Sequence, residues 1–194
     1  MVTCQTLLFG DSGSSPTSPH QLFLKPIPYA MAVQCYERWH YLGRQLFMSS
    51  INYGVFFENR LLGCISYGVP NAMNIKGLFT KNDQFGWYEI KRLALSPDCP
   101  KNSESRVIGI SKKMFIKQYH VKGIVTYADS GVGHTGIIYR ASGFTYIGLT
   151  APKTDLFING KKVGKKGQYH RGKKEEEEWR PRSRKHLFVW RNLL

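Results

Sequence analysis

The sequence predicts an α/β protein, a mixed central sheet flanked by helices in three layers, with a basic C-terminal extension. Three observations carry this. Segments of helical and strand periodicity alternate in the order helix, hairpin, strand, helix, strand, helix, strand, late hairpin, strand. The strand–helix–strand unit in the middle needs a crossover, which sets its two strands parallel within a mixed sheet. The chain has 194 residues and is 42% hydrophobic. That is enough to bury the core of one domain with appendages and too apolar for wholesale disorder.

The elements follow in order. Residues 1–20 read as an N-terminal strand or flexible arm, because Gly10–His20 is rich in Ser, Pro and Gly. Pro28 opens a helix expected over Tyr29–Leu42, with Met31, Cys35 and Trp39 at helical spacing and Val33 and Tyr36 beside them. Tyr53–Phe57 and Leu61–Val69, joined by Glu58-Asn59-Arg60, read as a β-hairpin. Trp87–Leu95 is a strand, with Trp87, Glu89 and Lys91 on one face and Tyr88, Ile90 and Arg92 on the other. A turn with two prolines leads to a helix over Ser103–Tyr119, capped by Asn102 or Ser103, with Val107, Ile110, Met114, Phe115 and Gln118 down one side. Gly123–Ala128 is a buried strand. Thr135–Ser142 is a short helix ended by Gly143, a left-handed C-terminal cap. Phe144–Leu149 is another strand, Asn159-Gly160 marks a hairpin turn within Asp155–Val163, and His186–Trp190 is a closing strand. The expected organisation is an arm over 1–20, a catalytic core over 21–152, and a basic hairpin, loop and closing strand over 153–194.

Charge points to a polyanionic partner. The net charge is +15, and a surface of that sign attracts nucleic acid. Residues 153–194 hold 13 Lys/Arg against five acidic residues. Lys161–Lys174 carries three glycines, with Gly160 just before it, and reads as a mobile basic loop that contacts phosphates without reading bases. Glu175–Glu178 reads as a solvated helical turn. No apolar run approaches the roughly 20 residues that span a membrane, and Met1–Leu8 lacks the basic start of a secretory signal. Cys4, Cys35, Cys64 and Cys99 form no CxxC pair. That argues against a zinc ribbon or a disulfide scaffold and for a reducing cytoplasm.

The element order resembles the GNAT acyltransferase fold, and Tyr139-Arg-Ala-Ser-Gly143-Phe144 resembles that family's YxxxGF. More specific are Trp39-His40-Tyr41-Leu42, Leu62-Gly-Cys-Ile-Ser-Tyr-Gly-Val-Pro70, Glu89-Ile-Lys-Arg92-Leu-Ala-Leu, Asn102-Ser-Glu-Ser105-Arg-Val-Ile-Gly109, Tyr127-Ala-Asp129 and Gly133-His-Thr-Gly-Ile-Ile-Tyr139-Arg-Ala-Ser-Gly-Phe144. In this order, over roughly residues 26–150, they resemble the phage Mom family, divergent GNAT proteins that modify adenine in DNA. The resemblance implies a methylcarbamoyl-type group placed on the exocyclic amine, which hides phage DNA from restriction enzymes in the host cytoplasm. It implies acetyl-CoA, or a related acyl-CoA, as donor and double-stranded DNA as partner, and it associates iron with the family. It also implies an acyl-CoA lying in a V-shaped split beside the central strand. One departure stands out. The Gly-rich loop that cradles pyrophosphate in ordinary GNATs is replaced by Ser96–Arg106, which has no glycine. The helix N-terminus with Ser103, Ser105 and Arg106 is then the expected anion site, although Ser105 serves equally as a cap.

On that reading the residues divide as follows. Asp129, at the carboxyl end of a buried strand, is the candidate general base or hydrogen-bond acceptor for the amine; its alternative is to cap Ser130–Gly133. His40 and Tyr41 end the first helix, where His40 either complements the helix dipole or joins the site. Two histidines and a carboxylate, His40, His134 and Asp129, would suit iron. Arg92 either pairs with Glu89 or Asp129, or faces the cleft and binds an oxyanion, CoA or phosphate. Tyr139 protonates the departing thiolate or holds the carbonyl. An amine inside a duplex must be flipped out, and Trp39, Tyr41, Tyr67, Phe85 and Trp87 are candidate stacking platforms. Asn71 and Asn74 sit on a loop where Asn pairs with adenine. Lys161, Lys162, Lys165, Lys166, Arg171, Lys173 and Lys174 are expected to grip the DNA backbone. Two alternatives remain: a GNAT acyltransferase for a small amine or peptide, and a non-catalytic DNA-binding protein on a GNAT fold. A dimer is compatible with the sequence, which leaves the oligomeric state open.

Overall fold

A computed structural model of the protein describes residues 14–45, 47–75, 77–163 and 177–192. Ten strands and three helices follow in the order β1 (Phe23–Pro26), α1 (Tyr29–Trp39), β2 (Ile51–Phe57), β3 (Arg60–Gly68), β4 (Trp87–Leu95), α2 (Ser103–Gln118), β5 (Gly123–Asp129), α3 (Ile137–Ala141), β6 (Thr145–Leu149), β7 (Lys153–Ile158), β8 (Lys161–Lys162), β9 (Glu177–Arg182) and β10 (Lys185–Arg191). Seven strands form the main sheet in the order β1-β2-β3-β4-β5-β10-β6, and β8-β7-β9 form a separate sheet. β4 and β5 are the parallel pair; the other ladders are antiparallel. β10 lies between β5 and β6, so the closing segment is an inner strand of the main sheet. No helix among the described residues is long and apolar enough to cross a membrane.

The layers are those the element order predicts. α2 and α3 cover one face through a core that includes Val107, Ile108, Phe115, Tyr139 and Phe188. α1 covers the other through Ala32, Cys35 and Tyr36 against Phe56, Leu61, Cys64 and Ala94. The buried stripe of α2 runs through Ser103, Val107, Ile108, Ser111 and Phe115, not through Ile110, Met114 and Gln118 as its apolar pattern suggests. The difference is Ser111, whose hydroxyl is bonded to Tyr67 Oη at 2.7 Å. A hydroxyl satisfied in this way is cheap to bury.

Several boundaries move for local reasons. α1 ends at Trp39, because His40 adopts an extended cap conformation and Gly43, at φ +54°, turns the chain back with its N–H on the His40 carbonyl. Asn102 occupies the cap of α2 in the left-handed region without a side-chain cap bond. Lys161 and Lys162 belong to β8 rather than to a mobile loop, since Asn159 (φ +49°) and Gly160 (φ +73°) form the tight turn that pairs them with β7. Glu177 and Glu178 stand in β9, paired with Ile158 and Phe157, not in a helical turn. Residues 1–13, and Lys165, Lys166, Arg171, Lys173 and Lys174, lie outside the described residues.

Two irregularities build the cleft. First, Ser66 faces Arg92 while Tyr67 faces Ile90, so Lys91 is an extra residue, a β-bulge in β4. The bulge reverses the alternation after Ile90. Arg92 therefore joins Ala94 on the α1 face instead of sharing a face with Tyr88 and Ile90. Second, β4 and β5 pair only from Trp87↔Gly123 to Glu89↔Val125. Beyond that point they part, and among the described residues no strand lies beside the edge of β4 from Ile90 to Leu95 on the β5 side.

Candidate active site

The parting strands leave a cleft of about 580 Å³, within the range of small-molecule sites. Its walls carry His40 and Tyr41 from the end of α1, Glu89, Lys91 and Arg92 from β4, Tyr127 and Asp129 from β5, His134 from the following loop, Tyr139 from α3 and Lys185 from β10. The cleft passes through the sheet: Arg92 packs on the α1 side and Tyr139 in the core under α2. All five residues expected to be catalytic, His40, Tyr41, Arg92, Asp129 and Tyr139, thus line one opening.

Arg92 pairs with neither Glu89 nor Asp129. Its guanidinium lies over Phe47 (4.8 Å to the centroid) and Tyr36 (5.5 Å), and Nη1 donates to the Gly43 carbonyl at 3.3 Å. Among the described residues no carboxylate forms an ion pair with it. Burial pulls its pKa down from the usual guanidinium value, yet the group stays cationic, so Arg92 brings to the cleft a positive charge that no described carboxylate pairs directly. A buried chain fixes this region. Tyr36 Oη donates to the Arg92 carbonyl (3.0 Å) and bonds Ser66 Oγ (2.7 Å), which donates to Asn52 Oδ1 (2.6 Å).

Glu89 and Lys91 were not expected at the site. They form a buried ion pair at 3.3 Å, with side chains 8% and 4% exposed. Glu89 Oε2 also accepts the Asn71 N–H (2.8 Å), and Lys91 Nζ donates to Asn71 Oδ1 (2.8 Å). Asn71 is therefore committed to holding this pair and does not line the cleft; neither does Asn74. The signal was present in the sequence, as three charges inside the nine-residue strand WYEIKRLAL. Alternation put Glu89 and Lys91 on one face, and the bulge misled only the placement of Arg92.

Asp129 lines the cleft and also caps the following turn. Oδ1 caps the next turn, accepting from Gly131 N–H (2.9 Å) and Ser183 Oγ (2.8 Å). Oδ2 lies 3.8 Å from Lys185 Nζ. Burial pushes the carboxyl up, but the Ser183 and Gly131 bonds, with Lys185 and His134, outweigh it, and the net shift is down. Asp129 is an ionised acceptor rather than a base tuned toward neutrality.

His40 stacks on Tyr41 (4.5 Å between ring centroids), and the Tyr41 ring meets His134 edge-on at 5.5 Å. These three rings span the mouth from α1 to the loop after β5. Burial, then Arg92 and His134, hold His40 down at about 4, so it is neutral at pH 7. Its Nδ1 accepts the Leu42 N–H at 3.1 Å, which assigns the remaining proton to Nε2 and makes that nitrogen a donor. Burial raises both Tyr139 and Tyr41, with Asp129 adding to the rise at Tyr41. Both phenols keep their protons at neutral pH.

The other expectations divide. Ser103 Oγ donates to the Pro100 carbonyl (2.6 Å), Ser105 Oγ to the Asn102 carbonyl (3.1 Å), and Arg106 Nη2 reaches the His20 carbonyl (3.5 Å). None of the three lines the cleft; Glu104 does. Tyr67 and Trp87 are core, and Phe85, although 75% exposed, stacks on His120 away from the cleft. Trp39 and Tyr41 remain as aromatic surfaces on the walls. Among the described residues no three His, Cys, Asp or Glu side chains gather to hold a metal. His40, His134 and Asp129 do not fit iron: Nδ1 of His40 and Oδ1 of Asp129 are committed to backbone and hydroxyl donors. Acetyl-CoA fits better, because the open edge of β4 and the through-sheet cleft offer an extended ligand backbone partners and a polar end point.

A family model described as the Mom protein family matches residues 21–191. The methylcarbamoylase mom of Escherichia phage Mu is 31% identical over 149 residues, covering 70% of this chain and 61% of that protein. Among solved structures, the aminoglycoside acetyltransferase AAC(6')-Ib in complex with coenzyme A aligns with a TM-score of 0.53 at 12% identity, over 88% of this chain and 94% of that one. An acetyltransferase from Bacillus subtilis in complex with CoA aligns with a TM-score of 0.51 at 11% identity, over 89% and 99%. The GNAT-like mixed sheet flanked by helices is the fold shared with these acetyltransferases.

Proposed function

The chain belongs to the Mom protein family, and from that premise we propose that it transfers the acyl group of an acyl-CoA to the exocyclic amine of adenine in DNA, the N–C bond forming as the thioester C–S bond breaks and CoA thiol leaves. A methylcarbamoyl-type base requires in addition an amide nitrogen from a second donor such as ammonia or an amide. The observation that carries the reading is the through-sheet cleft, whose walls bear Arg92 with no direct ion pair among the described residues, an ionised carboxylate and a protonated phenol.

Each group has work to do there. The amine of adenine is a weak nucleophile, because its lone pair is delocalised into the ring. Asp129, with Oδ2 turned away from its capping bonds, accepts a hydrogen bond from the amine, orients its lone pair and holds the departing proton. Arg92, fixed by two rings and a carbonyl, sets guanidinium N–H donors where negative charge develops on oxygen, and burial strengthens that effect. Tyr139 donates a proton to a leaving sulfur, for which a phenol raised by burial is the correct protonation state. Acetyl-CoA, when bound, supplies the activated acyl carbon. Tyr41, held by His40 and His134, gives a flipped purine a stacking surface, and His40 Nε2–H donates to a ring nitrogen. The net charge of +15 supports a nucleic acid as the acceptor over a small amine or peptide.

The test is mass spectrometry of nucleosides digested from the DNA of cells expressing the protein. A modified deoxyadenosine is expected with the wild type, none with Asp129→Asn, and a reduced level with Tyr139→Phe. Unmodified deoxyadenosine from cells that contain folded wild-type protein would refute the proposal.

A further inference from the structure

The separate sheet β8-β7-β9 has no place in the chemistry of the cleft, yet it leaves the main sheet beside it. β6 pairs with β10, and the chain between them departs through β7 and returns through β9, so these strands form an arm rooted at residues 150 and 183–185. The root is fastened to the turn that follows Asp129. Ser183 Oγ donates to Asp129 Oδ1 (2.8 Å), Ser130 Oγ donates to the Arg184 carbonyl (2.6 Å), and Arg184 Nε donates to the Thr150 carbonyl (2.7 Å).

The register sorts the arm into two faces, because residues opposite one another in a ladder share a face. Lys153↔Arg182, Asp155↔Arg180, Phe157↔Glu178 and Phe157↔Lys162 place Lys153, Lys162, Arg180 and Arg182 on one face with Asp155 and Glu178. The contacts agree: Asp155 holds Lys162 and Arg182, and Arg180 lies 4.3 Å over the Phe157 ring. The opposite face carries Thr154, Leu156, Ile158, Trp179 and Pro181, with Lys161 and Glu177 at its end. The charged face keeps a net positive charge after its internal pairs are counted, and the Lys162, Arg180 and Arg182 side chains stay 55%, 48% and 42% exposed. At about 3.3 Å per residue a six-residue strand such as β7 spans roughly 20 Å, which matches about six nucleotides of one duplex strand at 3.4 Å each.

We propose that the charged face of this arm, through Lys153, Lys162, Arg180 and Arg182, binds the phosphodiester backbone of duplex DNA and seats the duplex at the mouth of the cleft beside Asp129. A β-ribbon of this width fits against or within the major groove. The contact is to phosphate, so it supplies position and affinity without sequence preference. The inference rests on the adenine-modifying reading, but its test is separate from that of the chemistry.

The test measures the affinity of purified protein for a duplex oligonucleotide at several salt concentrations. Each lost phosphate contact lowers the slope of log K against log salt by about 0.9, so Lys153→Gln with Arg180→Gln is expected to flatten it by about 2. Lys113→Gln with Lys117→Gln, an equal charge loss on the exposed side of α2, is expected to leave the slope within a few tenths of the wild type. A thermal melt of each variant reports that the fold is retained. An unchanged slope in the arm variant, or equal flattening in the α2 variant, overturns the arm as the DNA surface even where modified deoxyadenosine is found in cells. Absence of duplex binding by the wild type overturns it as well, whereas normal duplex binding without modified deoxyadenosine leaves the arm standing and removes the chemistry.

Discussion

At the scale of single residues, the cleft is set by groups whose protonation follows from burial. His40 is held at about 4 against an ordinary value of 6.5, so between those values the unfolded chain binds a proton that the folded chain does not. Stability therefore rises with pH across that window, and it is lost as pH falls from 6.5 toward 4. Urea melts at several pH values are expected to show this slope, and His40→Gln is expected to flatten it. The Glu89–Lys91 pair makes a sharper demand. Removing one partner strands a buried charge, so Lys91→Met is expected to cost about 3–5 kcal/mol. Adding Glu89→Gln is expected to restore a large part of that loss, because no charge is then left unpaired. Denaturant midpoints of the two variants check this. If the double variant is as unstable as the single one, packing rather than charge holds the strand. Residue type marked Arg92, Asp129 and Tyr139 in the sequence because each is costly or conspicuous where it stands. It did not mark Glu89 and Lys91, which hide each other.

At the scale of elements, β4 and α3 decide the geometry. The bulge at Lys91 re-aims Arg92 toward α1. A period-two reading cannot locate a bulge, since nothing in a strand's own sequence says how many residues its neighbour will set against it. α3 carries Tyr139, and its entry is Gly136, at φ +75° with an added Cβ driven into the Phe188 ring. Gly136→Ala is expected to cost about 1–3 kcal/mol for overpacking, with about 1–2 kcal/mol more for the left-handed backbone, and to displace Tyr139. Gly133→Ala shares φ +75° but meets nothing within 4 Å, so only the backbone share is expected. Thermal midpoints separate the two, and equal losses would show that Phe188 yields. Helix and strand positions were legible because apolar period, Pro28, Gly143 and Asn159-Gly160 act locally. The serines at the start of α2, expected as an anion site with Ser105 equally a cap, turn their hydroxyls back onto the Pro100 and Asn102 carbonyls, a choice made by local geometry rather than residue type.

At the scale of the whole molecule, the parting of β4 from β5 couples the two faces of the sheet. The proposed function needs donor and acceptor to reach this one cleft, which both Tyr139 and Asp129 line. Acetyl-CoA at about 100 times its dissociation constant is expected to stabilise the fold by about 2.7 kcal/mol, a rise of roughly 5–10 °C in melting temperature for a domain of this size. Differential scanning fluorimetry reads this directly, and no rise at millimolar acetyl-CoA would leave the cleft without its donor. The arm proposed to bind DNA is rooted at the turn holding Asp129.

Composition and periodicity alone determined the layers, the parallel pair, the element order and the basic character, because each depends on neighbours along the chain or on a sum over it. The sequence also named the acid, the guanidinium and the phenol. Their convergence, the ion pair beside them, the loss of the expected metal ligands and the sorting of the arm's residues between its two faces were decided in three dimensions. Those outcomes depend on register, on one extra residue in β4 and on which hydrogen bonds are already taken, and all three are fixed only when the strands meet.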